Sequence, residues 1–163
     1  MKAIILVLAI LFSIDGWGQE YIPNGWRTAT SKDYESLPEW KYYKNDFPIP
    51  YYVSGDFDGD GTADDHAWIL INTSDNTQRG IFIFLNNNGN YEQYFLGEAS
   101  DYLTLLQRGA EICSFNEQDE CTEKIITKYD GIYTGGFEYE GVIFYLNQRK
   151  NKYIEFGDCA YCE

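Results

Sequence analysis

The stretch "AWILINTSDNTQRGIFIFLNNNGNYEQYFL", residues 67–96, decides the fold. Residues 67–72 form an apolar run of strand length, and "IFIFL" at 81–85 is a second, built from β-branched and aromatic side chains. "YEQYFL" at 91–96 is a third. The polar link "SDNTQRG" joins the first two. "NNNG" at 86–89 joins the last two, and its Asn88-Gly89 pair tolerates positive φ. Three such strands on short polar links predict an antiparallel meander.

Working outward, further strands are expected at 123–129, 136–140, 141–147 and 152–156, with "QRKN" at 148–151 making a hairpin between the last two. The middle segment "ASDYLTLLQRGAEIC", 99–113, reads as a short helix or a strand. Towards the N-terminus, "NDFPIPYYV" at 45–53 carries two prolines and should be extended and edge-like. "SKDYESLPEWKYY" at 31–43 reads as a short helix opened by Ser31 and limited by Pro38, or as an irregular connection. "YIPNGW" at 21–26 holds a turn at Asn24-Gly25. The expected class is mainly β, or α+β if the helical segment forms, as a small antiparallel sheet in one domain spanning 19–163.

Immediately before the meander lies "SGDFDGDGTADD", residues 54–65, with five aspartates in twelve positions. Like charges this dense repel, so a folded chain needs a reason to gather them. Asp56, Asp58 and Asp60 stand at positions 1, 3 and 5 of a tight loop, with Gly61 at 6, Thr62 at 7 and Asp64 at 9. That spacing lets the backbone curl until several oxygens converge, and calcium takes 6–8 oxygen ligands at about 2.3–2.6 Å. The expected ligands are Asp56, Asp58, Asp60, the Thr62 carbonyl and Asp64. A helix–loop–helix EF-hand would place a bidentate Glu at position 12; here Ala67 stands there, inside a strand. The loop is therefore EF-like but set between strands, with Asp65 pointing elsewhere or binding through water. Two other readings stay open: a metal-free turn held by Asx bonds, and a paired-carboxylate hydrolase site. His66, the single histidine, has no second histidine to make a zinc site and reads as a loop-to-strand residue. The acidic runs "NEQDE" at 116–120 and "FEYE" at 137–140 read as a solvated loop and a strand face, with Glu138 and Glu140 on one side.

The run "GDFDGDGTADDHAWILINTSDNTQRGIFIFLNNNGNYEQY" resembles a single blade of the FG-GAP/VCBS class of β-propeller repeats. In that class a Gly-Asp-Phe-Asn/Asp-Gly-Asp-Gly-x-x-Asp loop binds calcium between strands. The resemblance assigns ligand roles to Asp56, Asp58, Asp60, the Thr62 carbonyl and Asp64. It covers about a quarter of the chain. Propellers need typically 4–8 blades to close, and the sequence holds one, so a full propeller is not implied. The arrangement of "YIPNGW" before the loop and "FEYEGVIFYLNQRKNKYIEFGDC" after it is also similar to small exported bacterial proteins.

The opening "MKAIILVLAILFSIDGWG" has a charged start, a short apolar core and small residues near a cut after Gly18, the pattern of a signal peptide. A secreted or periplasmic location is expected. The apolar run is short of the roughly 20 residues a membrane span needs. In that setting Cys113, Cys121, Cys159 and Cys162 read as disulfides, and local pairing, Cys113 with Cys121 and Cys159 with Cys162, is preferred among three connectivities. With 12 basic against 26 acidic residues and a formal charge of −14, the chain lacks material for a phosphate-binding face. Its expected partners are a calcium ion and a protein or glycan, a basic protein fitting the charge best. No G-x-S-x-G nucleophile, metalloprotease helix or phosphate-cradling glycine loop occurs. The function expected is a non-catalytic calcium-binding domain, for example an inhibitor or immunity protein for a basic toxin or cell-wall hydrolase. The alternatives are a small carbohydrate-binding module using Trp26 and Trp40, and a hydrolase using Asp64, Asp65 or His66.

Overall fold

A computed structural model describes residues 21–99, 101–115, 121–137, 141–147 and 152–156. The proposed signal segment, "NEQDE", Glu138, Glu140, the 148–151 link, Cys159 and Cys162 lie outside them. Strand β1 (Trp26–Thr28) leads into two short helices, α1 (Ser31–Glu35) and α2 (Trp40–Tyr43), then β2 (Tyr52–Gly55), β3 (Asp65–Asn72), β4 (Arg79–Asn87) and β5 (Asn90–Glu98). After these come β6 (Tyr102–Leu106), β7 (Glu111–Phe115), β8 (Cys121–Ile126), β9 (Gly131–Gly135), β10 (Gly141–Asn147) and β11 (Lys152–Phe156). The architecture is mainly β, in small antiparallel sheets that close into neither a barrel nor a propeller.

The expected meander is the centre of the first sheet, ordered β1-β3-β4-β5. Strands β1 and β2 share one edge of β3: β1 faces residues 70–72 and β2 faces 65–68. The β4–β5 hairpin turns at Asn88 (φ 53°) and Gly89 (φ 88°), the positions where the turn demands a left-handed backbone. Side chains alternate across the sheet. Ala67, Ile69, Ile71, Ile81 and Ile83 face the main core. Leu70, Phe82 and Phe84 face the other way, in a second cluster with Trp26, Trp68, Tyr91 and Ile22. An unbroken apolar run is therefore needed on β3 and β4, because both sides are covered. Each fully buried isoleucine contributes about 1.5–3 kcal/mol.

A second sheet, β11-β10-β9-β6, supplies the opposite wall of the main core with Leu103, Leu106, Ile132, Ile143 and Phe144. Strands β7 and β8 pair on their own, and the Cys113–Cys121 disulfide crosslinks them as preferred from the sequence.

Several expectations are corrected. Of the strand expected at 136–140, residues 138–140 lie outside the described residues and 136–137 are not in a strand; the strand seen here is "GIYTG", 131–135, after which Phe137 stacks on Tyr43 and Tyr102. Its terminal glycines disguised it as a turn. A Cβ on Gly131 would come within 3.0 Å of the Phe144 carbonyl, so glycine is what lets β10 approach. The ambiguous 99–113 segment is two strands, β6 and the start of β7, around a turn with Gly109 at φ 86°. Pro48 and Pro50 lie in a turn, and the extended strand starts after them at Tyr52. The 31–43 segment is two helices rather than one, and Thr30, not Ser31, is the N-cap. Its backbone N–H and hydroxyl both donate to the Asp33 carboxylate at 2.8 Å, and Arg27 donates to the same carboxylate through both Nη1 (3.0 Å) and Nη2 (2.6 Å).

Candidate metal centre

The aspartate loop connects β2 to β3, two adjacent antiparallel strands, so its ends are pinned at Gly55 and Asp65. Between them Gly59 (φ 82°) and Gly61 (φ 96°) take left-handed conformations that ordinary residues avoid. These two glycines curl the chain inward. Asp58 Oδ1 accepts the Asp60 N–H at 2.9 Å, and Asp60 Oδ1 accepts the Thr62 N–H at 2.7 Å. Asp56 Oδ2 reaches across the loop to accept the Gly61 N–H at 3.2 Å. The result brings ligand oxygens of Asp56, Asp58 and Asp60 within 4.8 Å of one another.

The ion pairs Arg27–Asp33, Arg79–Asp101 and Lys124–Glu111 include none of the loop aspartates. Burial, followed by the charges of Asp60, Asp56 and Asp64, pushes the Asp58 carboxyl above the usual carboxylate range, against one opposing backbone hydrogen bond. Two oxygens are left over. Asp56 is only 9 % exposed, and its Oδ1 is buried without a hydrogen-bond partner; Asp64 Oδ1 is likewise buried and unpartnered. A buried carboxylate oxygen without a donor costs about 1–3 kcal/mol or more. The donor set is all hard oxygen, which suits calcium or magnesium and not a thiol- or imidazole-seeking metal.

The expected ligands are distributed unevenly. Asp56, Asp58 and Asp60 cluster directly. Asp64 stands near enough to act on Asp58 electrostatically, while its Oδ2 accepts a hydrogen bond from Asn86 Nδ2 at 2.8 Å. Thr62 contributes its N–H to Asp60. Asp65 does point elsewhere, as the sequence suggested, and its role is structural. It is 1 % exposed, with Oδ2 accepting the N–H groups of Phe57 (2.9 Å) and Asp58 (3.2 Å) and Oδ1 accepting that of Asn86 (2.8 Å). Burial pushes its carboxyl up to about 6, and the three backbone donors oppose that rise. Asp65 thereby locks the entry of the loop to the β4–β5 hairpin.

Sequence reasoning missed two participants. Asn86 holds Asp64 and also accepts the Gly89 N–H at 2.7 Å through its Oδ1. Asp130, from the β8–β9 connection, accepts the Asp56 N–H through Oδ2 at 3.0 Å and the Arg108 N–H through Oδ1 at 2.8 Å. Each sits in a turn signal, "NNNG" and "YDGI", which gave a local reason for its presence and hid the distant one.

His66 lies beside the loop on the outer face of the first sheet. Tyr52 Oη is 3.0 Å from its Nδ1 and Tyr91 Oη is 3.5 Å from its Nε2. Burial lowers its pKa, with the Asp64 charge pulling the other way. It borders a cleft lined by Tyr21, Ile22, Thr28, Trp68, Phe84 and Tyr91. Trp68 is half-buried there, its ring tilted against that of Tyr52 at 4.4 Å between centroids. Trp26 and Trp40, the partner-binding candidates, are both half-buried. Trp26 packs edge-on to Phe82, and Trp40 leans on Tyr34 and Phe137 against the main core. Among the described residues no helix is long and apolar enough to cross a membrane. No protein-family model, curated protein or solved structure matches this chain.

Proposed function

We propose that this chain is an exported, non-catalytic domain whose aspartate loop binds calcium, in the manner of a lone FG-GAP/VCBS-like loop. The observation that carries the reading is the pair of buried carboxylate oxygens without a hydrogen-bond donor, Asp56 Oδ1 within the three-aspartate cluster and Asp64 Oδ1 beside it. The ligands would be Asp56, Asp58, Asp60 and Asp64, with the Thr62 carbonyl completing the loop. A bound divalent ion would supply charge neutralisation and rigidity. Asp65 is committed to three backbone donors, which speaks against a hydrolase built on it.

A ligand bound only by the folded state stabilises it by mass action, about 2.7 kcal/mol at a hundred times Kd. For a domain of this size that is a rise in Tm of about 5–10 °C. Thermal melts in calcium, magnesium and chelator test this. Calcium should raise Tm, and Asp58→Ala should remove the rise; identical melts in calcium and chelator would refute the reading.

The formal charge of −14 favours a basic partner, such as a toxin or cell-wall hydrolase, because opposite fields accelerate encounter. Capture by an immobilised basic lysozyme at low salt, lost at high salt and insensitive to neutral competitors, would support it. Equal retention of an acidic control protein would count against it. The aromatic cleft beside His66 favours a second reading, a carbohydrate-binding module, since sugar rings stack on Tyr and Trp faces. Glycan binding that vanishes in Tyr91→Ala would select that reading, and an empty glycan array would remove it.

A further inference from the structure

We infer that Asp130 is a positioning residue for the metal loop, and that it couples ion binding at Asp56 to the turn carrying the disulfide-closed β7–β8 hairpin. The inference rests on the calcium reading above. Its basis is a chain of contacts between segments far apart in sequence. The Asp56 N–H donates to Asp130 Oδ2, and the Asp130 N–H donates back to the Asp56 carbonyl at 3.2 Å. This reciprocal pair fixes the backbone of the residue that opens the ligand loop. The other Asp130 oxygen accepts the Arg108 N–H, in the turn between β6 and β7. That turn is bonded again to the same connection. Gly109 N–H donates to the Thr127 carbonyl (2.8 Å), Thr127 N–H to the Ala110 carbonyl (2.9 Å), and the Thr127 hydroxyl to the Gln107 carbonyl (3.1 Å). Beside it, the Tyr129 ring lies so close to Gly59 that any Cβ there would collide with it.

Asp130 thus uses its two oxygens on two different segments. One is the metal loop and the other is the root of the hairpin. A group that orients a ligand without touching the ion tunes affinity, typically by 10–100-fold on removal. Asparagine at this position keeps one acceptor and turns an NH₂ towards the other N–H, so one of the two links is lost.

The test compares the wild type with Asp130→Asn, using calcium titration by calorimetry together with amide hydrogen exchange in calcium and in chelator. The expected result is a calcium Kd raised about 10-fold or more in the variant. In the wild type, calcium should slow exchange at Arg108 and Gly109 as well as at Gly61 and Thr62. In the variant, saturating calcium should still protect Gly61 and Thr62, while the protection at Arg108 disappears. A purely structural role would lower Tm in chelator without separating these two sets of amides. If the wild type binds calcium and the variant Kd stays within about twofold, or if Arg108 exchanges equally with and without calcium in the wild type, the coupling is overturned and the calcium site stands. A wild type that binds no calcium overturns both.

Discussion

Two clusters of aspartate chemistry sit on the first sheet, and they are resolved in opposite ways. At the β1–α1 corner, Asp33 receives a two-pronged Arg27 guanidinium, the Thr30 N–H and the Thr30 hydroxyl. Those donors, led by the Arg27 hydrogen bonds, hold its carboxyl down at about 2. At the β2–β3 loop, three carboxylates approach one another and two buried oxygens have no donor. The chain spends its own basic residue where the acid is structural. At the loop, the hydrogen bonds described above bring the acids only backbone and amide N–H donors. That contrast, rather than the count of aspartates, is what points to a metal.

The largest break in the contrast should come from Asp65, the one loop acid that is fully satisfied. Asp65→Ala strands the N–H groups of Phe57, Asp58 and Asn86 in the interior, at about 1 kcal/mol each and about 3 kcal/mol together. Urea denaturation should show that loss in chelator and in calcium alike, since the role is independent of the ion. Next in size is calcium itself, at about 2.7 kcal/mol near saturation, absent in Asp58→Ala. A loop whose repulsion has been removed by Asp58→Ala should also be no less stable than the wild type in chelator. The smallest effect belongs to the corner. Arg27 is 40 % exposed and water screens it, so Asp33→Asn should cost about 1 kcal/mol.

The corner also sets a pH dependence with a definite sign. Asp33 is more acidic folded than unfolded, where its carboxyl titrates near about 4. Its contribution is complete above that value and fades as the pH falls through about 2. Acid unfolding followed by circular dichroism between these limits should be less steep in Asp33→Asn. An unchanged acid limb would mean that Arg27 and Asp33 are not paired in solution.

The meander was legible in the sequence because its signals are local: two apolar runs, an Asn-Gly turn, and β-formers on both faces. The loop was legible for the same reason, since Asp56, Asp58, Asp60 and Gly61 act on one another within a few positions. What escaped was non-local or disguised. Strand β9 is bounded by glycines, and Gly131 at its start looks like a turn residue until the opposing carbonyl of Phe144 on β10 is seen. Asp130 meets Asp56 across 74 positions, a distance over which no periodicity carries information. Trp26 and Trp40 looked free because their neighbours in sequence are polar. Their rings are in fact engaged by Phe82 on β4 and by Phe137 just after β9, both far away in sequence.

One border of the first sheet carries a consequence for behaviour at high concentration. Strand β5 is the last in its row, and among the described residues nothing continues the ladder beyond it. Tyr94 and Phe95 on that strand stand open to water. An open, partly greasy margin of this kind invites a second copy to zip alongside. Glu92 and Glu98 lie on the same strand, within a molecule already strongly anionic, so mutual repulsion does the work that a capping strand would otherwise do. Acidification or strong brine weakens that barrier, and self-association under those conditions would begin at β5.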